Sequence, residues 1–363
     1  MIKWFREKLL AQRAAGRWAK AGGMLAAIGV ALAGAGLWKA VNFPLPWLVG
    51  SLYAVALSRI NGLKLISPPG ARQAGQWVIG INMGLYFSAT VAAELVSHAP
   101  LILGMALFSL LLGGLGAALL MRFQLADAPT AFFAAMPGGA SEMANLSDMW
   151  HASVDRVAAA HVTRVMLVVL VVPLGLALAG SHGAALGELM PHPVAWQHFP
   201  PMIAVSLLGI ALFLKLRIPN AWVLGNLAAI AILGIAGFPL SGMPGWLSAC
   251  GQVLIGVSLG CRFGPGFLRQ APAFLAGVTV QSLLLLAATV AAAFLVSPLA
   301  HLGFPNLILS FAPGGIAEMS LTASHLNLGV PLVVASHVVR LAILTILAPV
   351  SFRIFSRLVQ SPT

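Results

Sequence analysis

Met136-Pro137-Gly138-Gly139-Ala140-Ser141-Glu142-Met143, followed by His161-Val162-Thr163-Arg164, decides the fold because the chain spells it twice. The second copy reads Ala312-Pro313-Gly314-Gly315-Ile316-Ala317-Glu318-Met319, with His337-Val338-Val339-Arg340 behind it, 176 positions on and without a gap. From Pro137 to Pro173, 12 of 37 positions are identical to their partners between Pro313 and Pro349, and 11 of the other 25 exchange one apolar residue for another. The repeat extends outward. Gly75-Gln76, Ile79-Gly80, Gly84 and Phe87 recur as Gly251-Gln252, Ile255-Gly256, Gly260 and Phe263, and Trp47 and Gly50 match Trp222 and Gly225 one position closer. Self-similarity on this scale makes each half a structural unit. Membrane repeat 1 is expected over 24–180, and repeat 2 with a short cytoplasmic tail over 199–363.

The apolar content makes those units membranous. Of 363 residues, 60% are hydrophobic and 8% charged, against about a quarter charged in a soluble domain. The apolar stretches are long and punctuated by Gly and Pro, which reads as helices and not as the short alternating strands of a barrel. Residues 1–23 carry Lys3, Arg6, Lys8, Arg13, Arg17 and Lys20 among Trp4, Phe5, Leu9, Leu10 and Trp18. That pattern is a basic amphipathic segment lying on the cytoplasmic leaflet, not a removable signal peptide. The formal charge of +12 sits in short clusters between apolar segments, the positive-inside pattern, so the partner is a lipid bilayer and not nucleic acid. Cys250 and Cys261 give neither a disulfide framework nor a metal motif.

Spans are expected near 24–41, 44–60, 73–96, 100–121 and 154–178, then 200–214, 218–237, 247–263, 272–296 and 330–352. Pro137-Gly138-Gly139 divides 128–150 into pieces too short to cross a ~30 Å core at ~1.5 Å per residue, and 305–326 is its counterpart. A re-entrant segment fits each, as does a kinked span. Ser153 is placed to cap the helix that follows the first break. The 181–198 connection has no Lys or Arg, only Glu188, His182, His192 and His198, and belongs in the periplasm. Arg59, Lys64, Arg72 and Arg122 fall inside by this count, as do Lys215, Arg217, Arg262, Arg269, Arg353 and Arg357, with Lys39 the exception and both termini cytoplasmic. The fold class is therefore an all-α polytopic membrane protein. It has two homologous, inverted repeats of about five transmembrane helices, each with one Gly/Pro-broken re-entrant segment.

Broken helices at matching positions in two halves point to a transporter's binding site, because the membrane tolerates exposed backbone groups only around a cavity. Gly138, Gly139, Gly314 and Gly315 allow close backbone approach. The helix N-terminus after each Pro-Gly-Gly favours an anion. Glu142 and Glu318, one turn in, serve either as helix caps and arginine partners or as proton or cation carriers. His161 and Arg164 share a helix face at i, i+3, as do His337 and Arg340. Each arginine needs a carboxylate, Glu142 or Glu318 within its own half, or an anionic ligand held by its fork. Each histidine is a donor to a backbone carbonyl or a proton relay. The copies differ at Asp148, which faces Ser324, so Asp148 is a possible coupling residue of the first half.

At these motifs the chain resembles the AbrB family of bacterial inner-membrane proteins, over both halves. Labels in that family mix an ammonia monooxygenase, a regulator of gene expression and a membrane transporter. The residues weigh these. A copper monooxygenase needs clustered imidazoles, whereas His161 and His337 each stand beside an arginine. No soluble domain is present to bind DNA, which leaves an indirect effect on gene expression. The resulting expectation is no enzyme, no cofactor and no metal. It is a secondary transporter of the bacterial cytoplasmic membrane, moving a small, anionic solute coupled to H⁺ or Na⁺. Neither the solute, the coupling ion nor an oligomeric state follows from the residues.

Overall fold

Helix α1 (Ile2–Ala40) runs from the basic N-terminus into the membrane without a break, its apolar part covering Ala19–Ala40. The structure, a computed structural model, describes residues 2–181 and 193–360, with side chains from Ala19 onward apart from those of 141, 268, 270 and 360. The basic side chains before Ala19, and Glu188, His182 and His192 in the central connection, lie outside the described residues. A π-helical turn, Pro46–Gly50, leads into α2 (Ser51–Ile60). Then come α3 (Ala71–Gly84), α4 (Ala89–Ser97) and α5 (Ala99–Arg122). The first broken segment is α6 (Ala128–Ala135) and α7 (Ala140–Met149), followed by α8 (Val154–Leu178). The second copy gives α9 (Phe199–Lys215), α10 (Ala221–Ile235), α11 (Gly245–Gly260) and the short α12 (Phe267–Gln270). It ends with α13 (Pro272–Ala300), α14 (Phe304–Phe311), α15 (Ile316–His325) and α16 (Val330–Gln360). The described residues contain only helices, turns and irregular segments. Five helices are long and apolar enough to cross a membrane, six when α3 and α4 count as one bent span. This is a polytopic helical membrane protein.

Two details depart from expectation. The stretch 73–96 is not one straight span: α4 leaves α3 at 88°. The bend falls at Ser88, whose extended backbone and Oγ, accepting from the Val91 N–H at 3.3 Å, start a new helix. Ser153 occupies the N-cap of α8 but makes no side-chain capping bond. Its backbone N–H instead donates to Thr130 Oγ1 of α6 at 2.9 Å.

The helices form two compact units, Met1–Gln76 with Trp246–Phe267, and Trp77–Gly245 with Leu268–Thr363. Each draws on both copies, and glycines show how. In the first unit a Cβ on Gly256 of α11 would strike Ser51 of α2, and one on Gly260 would strike Val55. In the second, Gly80 and Gly84 of α3 lie equally close to Asn226 and Ile230 of α10. The helix after α2 or α10 in one copy thus packs on the helix pair of the other. Within each copy, Gly34 abuts Gly50 and Gly209 abuts Gly225, so close that no side chain fits between. The exchange continues in the second unit, where α5 packs along α16 and α13 along α8. Both broken segments and both His/Arg helices belong to this unit.

Candidate functional site

A helix that stops inside a membrane leaves its last carbonyls without partners. Helix α6 stops at Ala135, and α8 presents the answer. His161 and Arg164, on one face at i, i+3, are both buried, Arg164 being 2% exposed. Arg164 donates from Nη1 to the carbonyls of Ala134 at 3.3 Å and Ala135 at 3.0 Å, and from Nη2 to that of Met136 at 2.9 Å. His161 Nε2 donates to the Phe133 carbonyl at 3.0 Å, and its Nδ1 accepts from Arg164 Nη2 at 2.7 Å. A carbonyl only accepts and a guanidinium only donates, so the ring is the neutral Nε2–H form. Four successive carbonyls, 133 to 136, are thereby satisfied. The second copy repeats the device. His337 Nε2 donates to the Leu309 carbonyl at 2.9 Å, and Arg340 to those of Ala312 at 2.6 Å and Gly314 at 2.5 Å. Arg340 also donates to His337 Nδ1 at 2.8 Å.

The other side of each break carries the opposite charge. Gly139 is the N-cap of α7 and Glu142 lies in its first turn, the position of the acid in a capping box. The Glu142 carboxylate folds back so far that a Cβ on Gly139 would overlap it, and Glu318 stands in the same relation to Gly315. Met143 and Met319 cover Gly138 and Gly314 in the same way. With φ of −67° at Gly139 and −81° at Gly315, the glycines are not needed for a left-handed backbone. They make room for the chain's own carboxylate and thioether. Glu142 has one more partner, Asn220 at the N-cap of α10, whose Nδ2 donates to Oε1 at 3.2 Å. Asn220 has φ of 53°, a left-handed conformation that asparagine tolerates.

The arginine therefore caps the carbonyl end of each break and the glutamate covers the amide end, each where the helix dipole favours it. This corrects the expected pairing of Arg164 with Glu142: both Arg164 Nη atoms are committed to carbonyls and His161, and its Nε has no partner. Gly138, Gly139, Glu142, His161 and Arg164 gather around one break, and Gly314, Gly315, Glu318, His337 and Arg340 around the other. Helix α8 packs against α15, and α16 against α6 and α7, so each His/Arg helix runs beside the other copy's broken segment. Leu341 of α16 would touch a Cβ on Gly139 at 3.4 Å, so the second copy's helix passes close to the first break. Asp148 sits apart, exposed at the end of α7.

Three residues of this arrangement escaped the sequence reading. Thr130 and Asn306 accept the N–H of Ser153 and Gly329, at 2.9 and 3.0 Å, and so tie each broken segment to the start of α8 or α16. They occupy matching positions in the two copies, a signal available from the repeat. Asn220 had no such signal. Among the described residues no three His, Cys, Asp or Glu side chains are grouped to hold a metal.

Residues 47–356 match the family model described as Transition state regulatory protein AbrB. The chain belongs to the AbrB family. A Bacillus subtilis (strain 168) relative named "Uncharacterized protein YhjN" is 28% identical over 357 residues, covering 91% of this chain and 92% of its own. An Escherichia coli (strain K12) relative named "Putative regulator AbrB" is 26% identical over 328 residues, 87% of this chain and 92% of its own. The AbrB match spans both copies of the break motif, so the duplicated site lies within the part that defines the family.

Proposed function

We propose that this AbrB-family protein is a secondary transporter of the bacterial cytoplasmic membrane, moving a small anionic solute coupled to H⁺ or Na⁺, with both termini cytoplasmic. One observation carries the reading. Two broken helices with arginine-capped carbonyl ends and glutamate-covered amide ends lie in a single unit, each beside the other copy's His/Arg helix. Interrupted helices in corresponding positions of two repeats mark substrate and ion sites of transporters. The two buried cations, Arg164 and Arg340, raise the local potential for an anion. Glu142 and Glu318 are the groups through which a coupling ion acts, with Asp148 as an accessory in the first copy. No reaction chemistry is assigned, so the protein is not an enzyme in this reading. The repeats are inverted, with the broken segments re-entrant.

Purified protein in proteoliposomes, given candidate anions under imposed proton or sodium gradients, tests this. Uptake should follow one gradient and fall at least about tenfold in Glu142→Gln, Arg164→Lys and Arg340→Lys variants that remain monodisperse. Gradient-independent flux, or full uptake in all three variants, would overturn the assignment.

The regulator's name carried by the Escherichia coli relative favours a second reading, an indirect effect on gene expression. Expression profiling of a deletion strain rescued by wild type or by Arg164→Lys separates the two. Rescue by a transport-dead variant supports signalling without transport.

A further inference from the structure

Helix α13 carries a buried carboxamide, Gln281, only 1% exposed, and neither its Nε2 nor its Oε1 has a hydrogen-bond partner. Burying an amide unpaired is among the costlier things a fold can do. Serine and threonine on a helix can return their hydroxyl to the preceding turn, but a glutamine side chain lacks that recourse. The Gln281 amide lies against Gly116 of α5, where a Cβ would collide with its Nε2. One turn away on α5, Gly113 touches Met136 and Pro137 at the first break.

Helix α13 also packs along α8. The Arg156 guanidinium lies 5.8 Å from the centre of the Phe274 ring. In the other copy, the matching positions Leu332 and His98 share a crevice, and further along Ser336 donates to Met105 Sδ at 3.5 Å. Shifted by the repeat, that last pair becomes Ala160 and Gln281. Thr163 and Arg164 follow Ala160 at three and four residues, on the same helix face. The Thr163 hydroxyl and Arg164 Nε are also buried without a partner. The other copy has Met105, Val339 and Arg340 at these places, so the polar set exists once.

We propose that Gln281, Thr163 and Arg164 Nε form a solute subsite beside the first break, taking a small oxyanion that carries its own hydroxyl, such as a hydroxycarboxylate. The subsite deepens the transporter reading and rests on it for the solute's charge. Arg164 Nε–H, the Thr163 hydroxyl and Gln281 Nε2–H donate to the oxyanion. Gln281 Oε1 needs a donor, which the solute's hydroxyl supplies. A plain carboxylate leaves that oxygen unpaired.

Full-length protein in nanodiscs, titrated with glycolate and with acetate and followed by intrinsic fluorescence and melting temperature, tests this. Wild type should bind glycolate at least about tenfold more tightly than acetate, the scale of one buried hydrogen bond. Gln281→Met installs the residue that the other copy uses. It should leave the ligand-free melting temperature unchanged or higher, remove the preference and weaken glycolate about tenfold. The subsite is overturned by wild type that does not distinguish the two acids. It is also overturned by Gln281→Met that binds glycolate as wild type does, or that melts lower without ligand, since the amide would then be structural. Binding that follows this pattern in a protein moving no anion under any gradient would sink the transporter reading and leave the subsite standing. Gradient-driven uptake unaffected by Gln281→Met would do the reverse.

Discussion

Gly139 and Gly315 look from the sequence like places of close backbone approach, and their backbone angles are ones that any residue adopts. What they lack is a Cβ, in the place where the Glu142 or Glu318 carboxylate lies. The glycine and the glutamate three positions later are thus one device, and this gives a sharp expectation. Gly139→Ala should destabilise the protein by about 1–3 kcal/mol through overpacking. In a Glu142→Ala background the added methyl has room, so the same change should cost much less, leaving a coupling energy of about 1 kcal/mol or more. Denaturant unfolding of the four proteins in detergent measures the cycle. Additive costs would mean that the carboxylate is not folded over Gly139. The conclusion for function is that the helix N-terminus already holds an anion of its own. A solute seeking that end must displace the glutamate or bind beside it.

Helices α8 and α16 act as jigs for the broken segments in front of them. Each holds its segment at the start, through Thr130 or Asn306, and at the end, through the His/Arg carbonyl cage. The attachment at the start is testable alone. Asn306→Leu leaves the Gly329 N–H without its acceptor and should cost about 1–2 kcal/mol, the scale of a lost helix cap. Local hydrogen exchange at the first turn of α16 should quicken while α8 stays protected. Equal exchange in both would show that the contact holds nothing. At this scale much was legible in advance. The offset of 176, the i, i+3 pairing of His with Arg and the break at Pro-Gly-Gly all reside in residue identity. The arginine's partners did not, because backbone carbonyls have no letter, and a buried arginine in sequence suggests a carboxylate first. The bend between α3 and α4 was missed for a related reason. The corner follows Gly84, the last residue of α3, but the new helix starts at a serine whose capping role depends on where the preceding helix stops.

For the whole chain, the repeat's direction turns on whether the broken segments cross. Their helices have 8 and 10 residues, each about 12–15 Å long. If they return to the side they entered, each half crosses the membrane five times and the copies are inverted. If they cross, each half crosses six times and the copies are parallel. The turns after α2 and α10 discriminate, because Asn61 and Ala236 occupy the same position in the two copies, are both exposed and precede glycines with φ of 94° and 76°. With Cys250 and Cys261 replaced by serine, Asn61→Cys and Ala236→Cys are read with a membrane-impermeant maleimide on intact cells. Inverted copies predict labelling at Ala236→Cys from outside and at Asn61→Cys only after permeabilisation. The same accessibility at both positions would make the copies parallel. The two Pro-Gly-Gly breaks would then be entered from one face, and the pseudo-two-fold axis relating Arg164 to Arg340 would run along the membrane normal instead of within its plane.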